Sequence, residues 1–102
     1  MSTIDTTSAL GSLLHGQRDQ ILEIAARHHG RKVRVFGSVA RGEATARSDV
    51  DFLVDFDTRS SLFDVLHLTE ELAALLGRHV DVVSAGGLKD RDNQILAEAV
   101  DL

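Results

Sequence analysis

Two aspartates lie two residues apart in Ser48-Asp49-Val50-Asp51, and a third, Asp81, sits within His79-Val80-Asp81-Val82-Val83-Ser84. Both settings are otherwise apolar and alternate as strands do, with Val50, Phe52, Val54 and Phe56 in the first and Val80 and Val82 in the second. Residues two apart on a strand point the same way, so Asp49 and Asp51 share the face opposite the apolar set. Carboxylates held side by side repel, and one resists ionising unless a cation neutralises them. Asp is also disfavoured inside an apolar strand, where a partly buried carboxylate needs a partner. Mg²⁺ suits that role, as a hard cation bound through one or two carboxylates together with substrate phosphates. If the two strands are neighbours, three acids meet on one face, the arrangement that holds two metals for in-line displacement.

Upstream, the apolar run 33–36 breaks at Gly37-Ser38. Backbone N–H groups where a strand turns into a helical turn point outward and can hold an anion. Glycine lets phosphate oxygens approach the backbone, and the Ser38 hydroxyl adds a donor. Arg41 follows one helical turn later, so its side chain and that of Ser38 can face the same anion. Each piece also has an ordinary reading: a capped turn at Gly37-Ser38, a solvated arginine at Arg41, a turn cap at Ser48-Asp49. A phosphate-type loop followed by a carboxylate pair is what metal-assisted phosphoryl transfer requires.

Taken together, Gly37-Ser38, Arg41-Gly42, Ser48-Asp49-Val50-Asp51 and Asp81 resemble the signature of the DNA polymerase β-type nucleotidyltransferase superfamily. The short chain resembles its minimal branch, the MNT proteins, many of which are antitoxins paired with a HEPN-domain toxin. The resemblance covers roughly residues 33–84, and no motif position is substituted. It implies that Gly37 and Ser38 hold the triphosphate tail of ATP, with Ser48 counted among the nucleotide-binding positions. It implies that Asp49 and Asp51 coordinate two Mg²⁺, with Mn²⁺ as a substitute. Asp81 completes the metal and catalytic set and helps activate the acceptor hydroxyl. For Arg41 it leaves open a phosphate contact or a structural brace. The implied activity is transfer of AMP from ATP onto a hydroxyl, tyrosine by the resemblance, of a cognate HEPN toxin. Two rival readings are an antitoxin that masks its toxin by binding alone and a nucleotide-binding regulatory domain without turnover.

The elements that must position these residues follow from periodicity. Residues 1–15 are rich in Ser and Thr and read as a mobile tail, with at most a turn at 10–14, so the domain proper is residues 16–102. A helix is expected over 17–29, with Ile21, Ile24, Ala25 and His28 on one face. Strand 33–36, a short helix opened by Ser38 over 38–41, a polar connector at 43–47 and strand 50–56 come next. Residues 62–76 form the strongest helix, with an apolar stripe through Leu62, Val65, Leu66, Leu72, Ala73 and Leu76 and a stop at Gly77. Strand 79–84, a turn at 85–87 and a closing helix over 89–100 complete the chain. Helices alternating with short strands imply an α/β fold, a small mixed sheet flanked by helices.

Composition narrows the function classes. The chain has 102 residues, room for one small domain. Net charge −5 argues against direct nucleic-acid binding, and with four Phe as the only aromatics a base-stacking platform is poorly supplied. No cysteine is present, which excludes disulfides and thiolate metal sites and fits a reducing cytoplasm. No signal peptide is evident, and no apolar run approaches the ~20 residues that span a bilayer. The histidines lack zinc-ligand spacing. His79 shares a face with Asp81, but a solvated surface role is the expectation for it, as for Asp55. Asp90, Asp92 and Glu98 read as the solvated face of the last helix. An apolar patch for a partner is expected on helix 62–76 or on the last helix.

Overall fold

The computed structural model of the chain describes residues 8–45 and 47–102. In order they form α1 (Ala9–Gly16), α2 (Arg18–Arg27), β1 (Gly30–Phe36), β2 (Val50–Phe56), α3 (Leu62–Leu76), β3 (Val80–Ser84), α4 (Asn93–Glu98) and β4 (Val100–Asp101). Single 3-10 turns occupy Ala85–Gly87 and Asp90–Asp92. The strands make one sheet in the order β3-β2-β1-β4, with β1 antiparallel to β2 and β4, and β2 parallel to β3. This is the mixed α/β sheet that the alternation of elements implies. Among the described residues no helix is long and apolar enough to cross a membrane.

Strand alternation decides which face is covered. Val33 and Val35 of β1, Val50, Phe52 and Val54 of β2 and Val80 of β3 are all buried. They fall on one face by register, Val33 opposite Val54, Val35 opposite Phe52 and Val50 opposite Val80. Against them pack Ile21 and Ala25 of α2 and Leu68, Leu72 and Leu76 of α3. The second face carries Phe36, Asp51 and Asp81, with Leu53 buried at its centre. A one-residue slip would send the acids into the core, so burial of the apolar set fixes the register that places them.

Five expectations are corrected. The reading of residues 8–15 as tail fails: Ser8 caps α1 by accepting the Gly11 N–H, and Leu10 and Leu14 are buried in the main core. Residues 1–7 of that tail lie outside the described residues. Helix α3 has the expected bounds, a Ser61–Asp64 capping box and Gly77 at φ 66°. Leu72 and Leu76 are buried as expected and Leu68 joins them, but Leu62 is 72% and Leu66 49% exposed. The first turn of α3 has apolar residues on both faces, and only the later phase meets the sheet. The closing helix stops at Glu98, because Ala99 is extended at ψ 135°. Val100 and Asp101 then pair with β1, satisfying backbone groups that an open edge strand would expose. The other two, concerning residues 38–41 and Glu98, belong to the site.

Helices α2 and α3 are also tied by polar contacts, His28 Nε2 to Glu71 and His28 Nδ1 to Asp64 at 3.9 Å. The hydrogen bond from His28 holds the Glu71 carboxyl below its ordinary range.

Membership of α1 in the core is testable. Leu14→Ala should destabilise the protein by about 2–5 kcal/mol, the range for emptying a buried leucine site. Urea unfolding measures it, and a loss under about 0.5 kcal/mol, as at a surface position, would return α1 to a loose tail.

Candidate active site

The register of β2 assembles the site. Phe36, the last residue of β1, lies opposite Asp51, and Asp51 lies opposite Asp81 of β3. The chain leaving β1 must therefore turn beside an acid. It does so at Gly37, at φ 72°, where a Cβ would overlap the Asp51 carboxylate. Only glycine meets both demands, the left-handed backbone and the missing side chain.

Beyond Gly37 the chain winds a single turn. The Arg41 N–H donates to the Gly37 carbonyl at 3.1 Å and the Glu43 N–H to the Ser38 carbonyl at 2.9 Å. Val39 anchors the turn in the core. Gly42, at φ 73°, swings the chain away before a second turn can form. The short helix expected over 38–41 is thus a turn, closed by backbone bonds and anchored by a valine.

Asp51 is half-buried, and its carboxyl is pushed above the ordinary aspartate value. Burial is the main cause, followed by the charge of Asp81 and a hydrogen bond with it. Asp49, just before β2, and Asp81 are more open, with side chains 59% and 56% exposed. His79 stands between them, Nδ1 3.5 Å from Asp49 and Nε2 3.9 Å from Asp81. Its ring is exposed, as expected of a surface histidine, yet it is also the link between two of the three acids. Ser48 accepts the Thr45 N–H at 2.8 Å through its hydroxyl, which closes the polar connector. Asp55, expected at the surface, pairs with Arg34 at 3.5 Å.

A cleft of about 530 Å³ opens here, and Gly37, Ser38, Arg41, Ser48, Asp49 and Asp51 all line it. Asp81 stands beside the cleft and is reached through Asp51. The far wall is Arg91, Asp92, Gln94, Ile95 and Glu98. Glu98 is the residue that sequence reasoning misplaced. Its Oε1 accepts the Gly37 N–H at 2.8 Å and Arg41 Nη1 at 3.0 Å, so it faces the loop rather than solvent. Arg41 also bonds Glu43, and that bond above all holds its guanidinium more firmly protonated.

The donor set can be weighed for a cation. Among the described residues no three His, Asp or Glu side chains stand close enough to cage an ion by themselves. The Asp51–Asp81 pair, with Asp51 resisting ionisation, suits a cation that completes its shell from ligand oxygens, as Mg²⁺ does on phosphates. Asp49 lines the same cleft as Asp51.

A turn that presses a glycine backbone against paired acids, on a small mixed sheet, is an arrangement that metal-assisted nucleotide transfer can use. The chain belongs to the nucleotidyltransferase domain family, whose match runs over residues 18–101. It is 43% identical over 84 residues, 82% of either chain, to protein adenylyltransferase MntA of Thermococcus cleftensis. A solved minimal nucleotidyltransferase superposes with TM-score 0.79 at 47% identity, over 89% of this chain and 94% of that one. A toxin–antitoxin structure with AMP-PNP shares the fold at TM-score 0.70 and 20% identity, over 81% of this chain and 69% of that one.

Two variants test the site. Asp51→Asn should raise stability in metal-free buffer at pH 7, by no more than about 1 kcal/mol for so partly solvated a group. Because the folded carboxyl titrates above its unfolded value, the cost of ionising it is complete above the raised value and fades as pH falls through it. The advantage of Asn over Asp should shrink in the same direction, and denaturation at pH 7 and pH 3 reads both; no gain at pH 7 would remove the strained acid pair. Gly37→Ala should cost about 1–2 kcal/mol from the left-handed backbone alone. It should also displace Asp51 and abolish the thermal shift given by MgATP, and an unchanged shift would remove the loop from the site.

Proposed function

We propose that this protein is a Mg²⁺-dependent adenylyltransferase antitoxin. It moves AMP from ATP onto a hydroxyl, tyrosine by preference, of a cognate HEPN-domain toxin and so silences it. The observation that carries the reading is the contact between Gly37 and Asp51, which makes the phosphate loop and the acids one site. Adenylyl transfer needs that adjacency, since the tail must be gripped while the α-phosphorus lies at the carboxylates.

In the transfer, the acceptor oxygen forms a bond to the α-phosphorus as the bond to the bridging oxygen of the β-phosphate breaks. Pyrophosphate leaves, and the hydroxyl proton passes to a carboxylate, for which Asp81, half-exposed at the cleft's edge, is placed. Gly37 and Ser38 hold the triphosphate tail, with Ser48 and Arg41 on the walls of the same cleft. Asp49, Asp51 and Asp81 would hold Mg²⁺, or Mn²⁺ in its place, which neutralises charge on the phosphates when bound. The identity to the Thermococcus adenylyltransferase supports the AMP chemistry. The toxin–antitoxin neighbour supplies the setting that the proposal extends to this chain.

Masking by binding alone is the second reading. The exposed apolar residues Leu62, Phe63 and Leu66 on α3 and Leu96 on α4 favour a protein partner under either mechanism.

The two separate by mass. The chain contains no tyrosine, so it cannot be its own tyrosine acceptor. Mixed with ATP, Mg²⁺ and the toxin encoded beside it, the protein should add one or more AMP units to the toxin and none to itself. The toxin should stay inactive after the proteins are separated, and Asp49→Asn, Asp51→Asn protein should leave it unmodified. Unmodified toxin that regains full activity on separation, in a mixture where ATP binds, would reject transfer in favour of masking.

A further inference from the structure

Glu98 ends α4, two residues before Val100 pairs with Val35. Val35 is itself two residues before Gly37, so the β1–β4 pairing delivers the Glu98 carboxylate to the mouth of the loop. The side chain is only 20% exposed. The rest of α4 contributes no buried residue, and Leu96 is 43% exposed, so the helix is not there to fill the core. What it brings to the fold is this carboxylate.

One oxygen of Glu98 does two things. It satisfies the half-buried N–H of Gly37, whose left-handed turn has carried it off the strand ladder, and it receives Arg41 Nη1. A half-buried donor left unpaired costs about 1–3 kcal/mol, and bonds to a charged acceptor are the stronger kind. The loop backbone and its arginine are thereby fixed to one atom, and through it to the sheet. Glu43 holds the other side of the guanidinium, so Arg41 lies along the wall of the cleft between two acids.

We propose that Glu98 is the positioning residue of the phosphate loop. It sets the turn at Gly37 and aims Arg41, so that Ser38 and Arg41 meet a triphosphate in one fixed arrangement, while Glu98 itself touches no substrate. The inference rests on reading the cleft as a nucleotide site, but its two bonds exist without nucleotide and can be tested without it.

Amide NMR on the ¹⁵N-labelled protein reads the first bond. Glu98→Ala should shift the Gly37 amide proton upfield and speed its exchange about tenfold, the equivalent of one lost hydrogen bond. Glu98→Gln keeps an acceptor oxygen and should restore most of both, with the Val35 amide unmoved in either variant. Calorimetric titration with MgATP reads the consequence: Kd should rise about tenfold in Glu98→Ala, one hydrogen bond's worth, and stay within about threefold of the parent in Glu98→Gln. Should the alanine variant not fold, Glu98→Asp, one methylene short, carries the same two measurements. A Gly37 amide indifferent to loss of the carboxylate overturns the proposal. So does tighter MgATP binding by Glu98→Ala, which would make Glu98 an internal competitor for the anion seat. A parent that binds no MgATP refutes the nucleotide reading, and the amide measurement then decides the role of Glu98 alone.

Discussion

Everything at this site depends on a close approach between a backbone and a charge: Gly37 runs so near the Asp51 carboxylate that no side chain fits between them. The approach is a consequence of register, not of the loop. Asp51 pairs with the last residue of β1 on one side and with Asp81 on the other, so β2 holds the turn and the second acid together. That register is itself set by Val50, Phe52 and Val54, all fully buried on the opposite face. Hydrophobic burial on one face thus fixes, through the two-residue period of a strand, where charge is concentrated on the other.

Concentrating it is costly. The cleft is lined by Asp49, Asp51, Asp92 and Glu98 against Arg41 and Arg91. One of those two cations, Arg41, is already bound to Glu43 and Glu98. The fold accommodates the excess by keeping Asp51 reluctant to ionise and by leaving Asp49 and Asp81 partly in solvent. An anionic triphosphate entering such a cleft gains little from side-chain charge and must rely on N–H groups, hydroxyls and accompanying cations. On the proposed reading, selectivity for metal-bound nucleotide then follows from electrostatics without a dedicated recognition residue.

What the sequence displayed was local. The alternation of β2 and the span and stop of α3 lie in neighbouring residues, and so does the glycine turn, because only a glycine can sit where Gly37 does. Three features were hidden because their partners are far along the chain. Strand β4 has two residues, too few for a period, and exists only because β1 offers an edge. Glu98 follows Ile95 and Leu96 as a solvated helical acid would, and its partners are 57 and 61 residues away. The phase of α3 was ambiguous, since Leu62 and Leu66 extend the apolar pattern but face away from the sheet. Helix α1 is a different case. Leu10, Leu13 and Leu14 have helical spacing behind a serine cap, a signal outweighed by the surrounding Ser and Thr.

The placement of apolar surface constrains how an acceptor protein can reach the acids. β2 and β3 are parallel and joined through α3, so the helix runs back along the sheet, its C-terminal end near the start of β3 and its first turn near the end of β2. Asp51 and Asp81 lie at the starts of their strands. Leu62, Phe63 and Leu66 therefore sit toward the opposite end of the sheet from the acids, which lie on its other face. Leu96, by contrast, is on α4, whose Gln94, Ile95 and Glu98 form the cleft wall. On the proposed reading, a partner docked only on the first turn of α3 would sit at the far end of the sheet and on the opposite face from the acids. A partner that also covers Leu96 brings its acceptor, on the same reading, to the mouth of the cleft, beside the helix that Glu98 ties to Gly37. The exposed residue best placed to bring an acceptor to the cleft is then, on that reading, Leu96 on α4, not the first turn of α3.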